Sequence, residues 1–246
     1  MIQSETQETA DSLFAITTLA GEADRFFYPV CKCVLDVSVS TLLLVLLSPL
    51  LILLAILIKL DSSGPVIYVQ QRVGSRRRKR PGRLTTWEIR TFPFYKFRSM
   101  YHDVDQSPHQ KYIKEFCQGG GARENGGRNI FKLRNDPRIT PLGRILRKTS
   151  LDELPQLINV IRRDMSLVGP RPAPSYELAH YQKAHYERLA ALPGITGVWQ
   201  VHGRCRVRFE EMMRMDIDYV RRCSFWLDLK ILLLTIPAVI SGRGAE

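Results

Sequence analysis

The feature that most constrains this chain is an apolar segment, residues 37–58, which carries no charged side chain and is bounded by Asp36 and Lys59. At about 1.5 Å of rise per residue, a helix of this length would just cross a hydrocarbon core of about 30 Å. The segment is too long and too far from the N-terminus to be the core of a signal peptide. It therefore predicts a membrane helix rather than the buried helix of a soluble protein.

A proline near the middle of this segment decides how it lies in a bilayer. Pro49 has no N–H, so the carbonyl of Val45 loses its helical partner, and the hydroxyl of Ser48 is the local donor that could replace it. Ser48 and Pro49 therefore predict a break in the helix. A kinked helix that spans the membrane and a helix–break–helix that returns to the same face both fit the hydropathy, and the charges of the N-terminal flank do not separate them.

The composition indicates what kind of partner the chain binds, but it does not indicate the fold. The chain has 36 Lys and Arg against 24 Asp and Glu, a formal net charge of +12, and 45% hydrophobic residues, which excludes a disordered chain. Such a charge predicts an anionic partner: nucleic acid, acidic lipid headgroups or a phosphorylated substrate. Five cysteines, an odd number, do not form a disulfide framework and fit a reducing compartment.

The residues on either side of the membrane segment divide the chain into three parts. Residues 1–33 form a polar lead, residues 34–60 hold the membrane helix, and residues 61–246 form a globular domain with mixed α/β patterning. Its strands are predicted at 65–70 and 85–100 from β-branched and aromatic residues, with the basic run 76–80 as a solvated loop between them.

Helices and loops are predicted in the rest of the globular domain. Helical patterns cover 141–163, 175–192 and 209–222, and the glycine-rich stretch 119–127 is a loop. The apolar run 231–240 is too short to cross a membrane, so with the aromatic residues before it we expect a helix at the membrane surface, the alternative being a C-terminal core helix.

Adjacent carboxylates at Asp152 and Glu153 form the first candidate site. The chain has no P-loop, dinucleotide-binding or HExxH motif that would compete with it. Ser150 and Glu153 have the spacing of a capping box, which would make both acids structural. That helix start would place Pro155 too far inside the helix, whereas a start after Asp152 would tolerate it. In that case the carboxylates, near Arg147, could hold a divalent cation, or one could attack phosphorus.

A single arginine between two prolines forms the second candidate site. Pro170 and Pro172 restrict the backbone around Arg171, and a guanidinium suits bidentate binding of a phosphate. A surface turn would explain the two prolines but not the arginine between them.

Taken in order, several motifs resemble those of the bacterial sugar transferase family, the monotopic phosphoglycosyl transferases. The resemblance covers roughly residues 33–240. It rests on KFRSM at 96–100, NDPRIT at 135–140, TSLDELPQLINV at 149–160, DMSLVGPRP at 164–172, PGITG at 193–197, WQV at 199–201 and WLDLKIL at 226–232.

The resemblance implies an activity and a set of site residues. It implies transfer of a sugar 1-phosphate from a UDP-sugar to undecaprenyl phosphate with release of UMP, as the first membrane step of glycoconjugate or exopolysaccharide synthesis. Asp152 matches the nucleophile that forms an aspartyl phosphosugar, and Glu153 matches its partner. Arg171 matches the phosphate-binding arginine, and we expect Arg147, Pro170 and Pro172 beside it. Mg²⁺ at Asp152 and Glu153 would offset the diphosphate charge.

The resemblance also implies a fold and a location. In the family the Ser-Pro pair turns the membrane helix back to the cytoplasmic face, which favours the re-entrant alternative at Ser48 and Pro49. We therefore expect a helix-rich α/β protein on the cytoplasmic face of the bacterial inner membrane, with amphipathic interfacial helices and with anionic lipids, not nucleic acid, as its surroundings. A homodimer is compatible with this expectation.

Two rival functions make different predictions. A membrane-tethered basic binding protein using residues 76–80 would bind polyanions in a salt-sensitive way and would not depend on Asp152. A metal-dependent glycosyltransferase would release UDP instead of UMP. The sequence identifies neither the sugar nor the polymer pathway.

Overall fold

The computed structural model describes residues 22–78, 86–102, 107–117, 136–202 and 207–240, and it is a helix-rich α/β structure. Its helices are α1 (Glu22–Leu46), α2 (Ser48–Asp61), α3 (Ser107–Cys117), α4 (Pro141–Thr149), α5 (Gln156–Ile161), α6 (Ser175–Leu178), α7 (Val198–His202), α8 (Phe209–Arg222) and α9 (Phe225–Ile240), with 3₁₀ segments at Leu151–Glu153 and Lys183–Leu189. Its strands are β1 (Ile67–Arg78), β2 (Thr86–Phe97), β3 (Ser166–Val168), β4 (Ala173–Pro174) and β5 (Gly194–Thr196).

A long antiparallel hairpin supports the site. Strands β1 and β2 pair from Ile67 opposite Phe97 to Arg78 opposite Thr86, and β4 adds to the other edge of β1. Strands β3 and β5 form a separate parallel pair. The predicted loop at 76–80 is wrong for residues 76–78, which continue β1. Arg76 lies opposite Glu88 on β2, an opposite-charge pair that favours the strand.

The apolar segment is divided between α1 and α2, which meet at Leu47, so the predicted break is confirmed. Pro49 lies at the start of α2, where its missing N–H costs least. The Ser48 hydroxyl donates to the carbonyl of Val45 at 2.8 Å, as the sequence predicts. By length and composition, residues 27–46 of α1 are long and apolar enough to cross a membrane.

Two apolar cores hold these helices to the globular domain. One side of α1 packs on a core of the β2, α5 and β3 side chains, including Phe92, Leu157 and Val168. Leu54 and Ile58 of α2 pack with Phe97 and Leu146. Many other apolar side chains of α1, α2 and α9 are exposed, including Phe27, Val45, Ile52, Leu60, Trp226 and Leu233. Exposed apolar surface on this scale is typical of a membrane contact.

Arg98 fixes the C-terminal end of α2. Its Nη2 atom donates to the carbonyl of Ile58 at 2.9 Å and to that of Ser62 at 2.5 Å, and its Nη1 atom donates to the carbonyl of Pro65 at 2.6 Å. The carbonyl of Ile58 also accepts from the N–H of Ser62 at 3.4 Å, so Arg98 binds the last turn of α2 and the chain that follows it. The guanidinium, buried directly after β2, therefore ties α2 to the hairpin.

A buried polar cluster fixes α1. The carboxylate of Asp228 on α9 accepts hydrogen bonds from Lys32 at 2.6 Å, from Tyr219 at 2.7 Å and from Tyr28 at 2.9 Å. Lys32 also donates to the carbonyl of Val168 at 3.0 Å, and the Tyr219 oxygen lies 3.1 Å from the same carbonyl oxygen. Helices α1, α8 and α9 and the end of β3 are thus joined at one point.

Several predicted elements have different bounds. Helix α8 and the C-terminal helix are confirmed, whereas the helix predicted at 175–192 is wrong, because α6 ends at Leu178 and a 3₁₀ segment begins at Lys183. Gln182 and His185 cap that second start reciprocally, which favours the interruption. Helix α1 begins at Glu22, inside the predicted lead. Residues 1–21, residues 79–80 of the basic run and the loop 119–127 lie outside the described residues.

Candidate functional site

The turn between α4 and α5 places the two adjacent carboxylates. Thr140 caps the start of α4 by accepting from the N–H of Gly143 at 3.0 Å, and the helix runs to Thr149. Ser150 then adopts a left-handed conformation, φ 59° and ψ 18°, which stops α4 and starts the 3₁₀ turn that carries Asp152 and Glu153. A non-glycine residue in this conformation costs free energy that neighbouring contacts must offset.

This geometry decides between the two interpretations of the acids. Ser150 makes no side-chain capping bond and is the C-terminal cap of α4, so the capping-box interpretation is wrong. Helix α5 begins at Gln156 with Pro155 at its boundary, as the alternative requires. The carboxylates are therefore not explained by helix capping.

Asp152 and Glu153 differ in their surroundings. Asp152 is buried, with 8% of its surface exposed. Glu153 is half-buried and accepts a hydrogen bond from Nη2 of Arg171 at 2.8 Å. The structure therefore brings together the two candidate sites that are eighteen positions apart in the sequence.

The backbone at Arg171 is fixed by a second arginine, which is buried. Pro170 and Pro172 are both buried, and Nη2 of Arg188 donates to the carbonyl of Arg171 at 2.8 Å. Arg188 is itself paired with Asp216 at 2.6 Å. The predicted rigidity of this segment thus has two sources, the proline rings and the Arg188–Asp216 pair.

Lys96, near the end of β2, was not predicted as a site residue. Burial lowers the pKa of its ammonium group to about 8, with Arg72 and Arg147 lowering it further and Asp152 and Glu153 raising it. Because the charge of Arg147 lowers the pKa of Lys96, this predicted site residue acts on the same ammonium group as Asp152 and Glu153. Since Lys96 lies within the KFRSM motif, the resemblance was the only signal that could have found it.

Arg72 of β1 was missed because its strand pattern gives no functional signal. It extends toward the arginine–proline segment, where its Nη1 atom donates to the carbonyl of Pro172 at 3.1 Å. The region around the carboxylates therefore contains four cationic side chains, those of Arg72, Lys96, Arg147 and Arg171. Such an environment suits a substrate with several negative charges.

The chemistry of the donor set is compatible with a divalent cation. The described residues contain no group of three or more His, Cys, Asp or Glu side chains that could enclose a metal. Mg²⁺, however, commonly binds one or two carboxylates together with substrate phosphates and water. Two adjacent carboxylates in a cationic cleft fit that mode, with Arg171 engaging one oxygen of Glu153.

The chain is similar in sequence to several known proteins. The chain is 42% identical to the undecaprenyl-phosphate galactose phosphotransferase of Salmonella typhimurium over 92% of its length, and 37% identical to the galactosyl transferase CpsE of Streptococcus agalactiae over 95%. It spans less than half of each of these two relatives, 43% and 47%. It is also 38% identical to the exopolysaccharide production protein ExoY of Sinorhizobium fredii, with 94% of this chain and 91% of that protein aligned.

The match to a family extends over nearly the whole described chain. The sequence model of the bacterial sugar transferase family covers residues 27–242, which include most of α1, all of α2, both carboxylates and the C-terminal helix. The long hairpin, the carboxylate turn and the arginine–proline segment all lie within this match. The chain therefore belongs to the bacterial sugar transferase family.

Proposed function

We propose that the chain transfers a sugar 1-phosphate from a UDP-sugar to undecaprenyl phosphate and releases UMP. The observation that carries the proposal is the buried carboxylate of Asp152, next to the Glu153–Arg171 pair and within the field of Lys96. The names of relatives that act on undecaprenyl phosphate support the acceptor.

In the first step, an oxygen of Asp152 attacks the β-phosphorus of the donor. A bond forms between this oxygen and phosphorus, and the bond from phosphorus to the bridging oxygen breaks, so UMP leaves with the electron pair. In the second step, an oxygen of undecaprenyl phosphate attacks the same phosphorus and displaces the carboxylate. The anhydride bond of the donor is replaced by one in the product, and Asp152 is regenerated without a net proton change.

The cationic side chains stabilise the charge that moves during these steps. Arg171, which is fixed through its backbone carbonyl by Arg188, can bind a phosphate in a preset orientation. The guanidinium of Arg171, 2.8 Å from Oε1 of Glu153, offsets the charge of that carboxylate next to the nucleophile. Asp152 and Glu153 would hold Mg²⁺, which supplies charge neutralisation of the diphosphate.

Identification of the nucleotide product tests this proposal directly. The chain, incubated in detergent or nanodiscs with UDP-sugars, undecaprenyl phosphate and Mg²⁺, is expected to release UMP in proportion to lipid-linked sugar diphosphate. Chromatography separates UMP from UDP. Release of UDP with a singly linked sugar would show the glycosyltransferase instead, and salt-sensitive polyanion binding without either product would show the basic binding protein.

We also propose that α1 and α2 form a re-entrant pair at the cytoplasmic face of the bacterial inner membrane. The break at Leu47, the Ser48 hydrogen bond and the exposed apolar side chains on both helices support this arrangement. Lys32 joins α1 to the globular domain, and Arg98 of the same domain binds the C-terminal end of α2, which supports an arrangement with both ends of the pair on one side.

Cysteine labelling is expected to report both ends of this pair from the cytoplasmic side. Single cysteines at Phe27 and Leu60, both exposed, would be introduced after the native cysteines are replaced by serine. A membrane-impermeant maleimide should label both in inverted vesicles and neither in intact spheroplasts. Labelling of the two positions from opposite sides would show a spanning helix.

A further inference from the structure

Arg72 lies in β1 with its side chain fixed in one orientation. Its Nε atom donates to Oε1 of Gln70 at 3.1 Å, and its Nη1 atom donates to the carbonyl of Pro172 at 3.1 Å. The guanidinium also lies over the ring of Phe94, 5.3 Å from its centroid. These contacts leave Nη2 without a hydrogen-bond partner among the residues that the structure describes.

The side chain borders a pocket next to the carboxylate turn. Arg72, Arg171, Pro172, Glu177, Arg188 and Trp199 contribute to its lining. Arg171 connects this pocket to the reaction centre, because the same side chain lines the pocket and donates to Glu153. A ligand held by Arg171 can therefore extend from the carboxylates into the pocket.

The arginines of this pocket differ in their counter-ions. Arg188 pairs with Asp216 at 2.6 Å and lies 3.9 Å from Glu177, and Arg171 pairs with Glu153 at 2.8 Å. Within the described part of the chain, Arg72 has no carboxylate oxygen within 4.0 Å. Burial, and then the charge of Arg171, lower the pKa of Arg72 to about 10. The pocket thus holds a half-buried cation whose charge no described carboxylate offsets at contact distance.

We infer that Arg72 and Arg171 together bind the phosphate group that leaves with the nucleotide. The inference rests on the proposed function: with the β-phosphate at Asp152, the adjacent phosphate of the donor extends along Arg171 toward Arg72. The Nη2 group of Arg72 can donate to a phosphate oxygen. The phosphate then supplies the negative charge that no described carboxylate places next to Arg72. The phosphate of undecaprenyl phosphate has the same chemistry, so the experiment must separate the two sources.

Binding of UMP alone tests the inference without any turnover. Calorimetry on the full chain in nanodiscs would compare the parental protein with Arg72→Gln, Arg72→Lys and Arg76→Gln. We expect Arg72→Gln to weaken UMP binding by about tenfold or more, and Arg72→Lys to weaken it less because it keeps the charge but loses the fork. Arg76 is exposed on the same strand, and Arg76→Gln should bind UMP like the parental protein.

Steady-state kinetics gives the remaining outcomes. The KM for the UDP-sugar should rise in Arg72→Gln while the KM for undecaprenyl phosphate stays unchanged. Parental UMP affinity in both Arg72 variants would overturn the inference, as would a rise confined to the KM for undecaprenyl phosphate. If Arg72→Gln does not fold, Arg72→Lys decides. The nucleotide product of the parental chain is measured separately, so failure of this inference leaves the proposed function testable.

Discussion

Replacing Asp152 by asparagine is expected to reduce UMP release by more than about 10⁴-fold, because the amide cannot form the covalent intermediate. The change is isosteric and lies in a turn fixed by Ser150 and Pro155, so membrane association and the unfolding temperature should stay close to parental values. The measurement is the initial rate of UMP release from the UDP-sugar with Mg²⁺.

A matched control separates loss of the nucleophile from loss of a buried carboxylate. Asp164 is buried to 7% exposure, close to the 8% of Asp152, and pairs with Arg90 rather than with the site. Asp164→Asn should keep activity within a few-fold of the parental enzyme. In the parental enzyme, labelled donor without acceptor should leave a hydroxylamine-sensitive adduct on the peptide containing Asp152. Parental rates of UMP release in Asp152→Asn would contradict covalent catalysis at this residue.

Truncation of Asp228 to alanine is expected to destabilise the protein by about 3–5 kcal/mol, because it leaves the ammonium of Lys32 buried without its counter-ion. The side chains of Lys32 and Asp228 are only 13% and 2% exposed, and two tyrosine hydroxyls lose their acceptor in the same change. Chemical unfolding in a fixed detergent measures the change in the free energy of unfolding.

A double-mutant cycle identifies the cause of this loss. Lys32→Met removes the buried ammonium that Asp228→Ala leaves unpaired. The double variant should therefore lose less free energy of unfolding than the two single variants lose together. Asp218→Ala, an exposed carboxylate on α8, should change stability by less than about 0.5 kcal/mol. An effect of Asp228→Ala as small as that of Asp218→Ala would show that the cluster does not hold α1.

The sequence predicts the parts of this protein whose causes are local. A proline inside an apolar run produces a helix break wherever the chain lies, and the exposed hydroxyl of Ser48 satisfies the carbonyl that Pro49 leaves. Helix α8 follows from a regular apolar period, and the strands follow from β-branched and aromatic residues. The fold class and the position of the carboxylate turn are therefore accessible without coordinates.

The features that escape sequence reasoning depend on distant partners. Arg76–Arg78 form a strand because β2 pairs with them, and no local sequence signal indicates that partner. The helix expected at 175–192 is interrupted because Glu177 and Arg188 turn toward each other and toward Asp216 in the interior. Arg72 and Lys96 join the site only through the hairpin that carries both.

The position of Arg98 links α2 to Lys96. Lys96 lies two residues before this guanidinium, which binds the carbonyl end of α2, so one short piece of backbone connects α2 with the ammonium group whose pKa Asp152 raises. If α2 lies in the bilayer as we propose, a thinner or thicker bilayer that tilts α2 would pull on this piece of chain directly. We then expect turnover to respond to acyl-chain length even when both substrates are saturating.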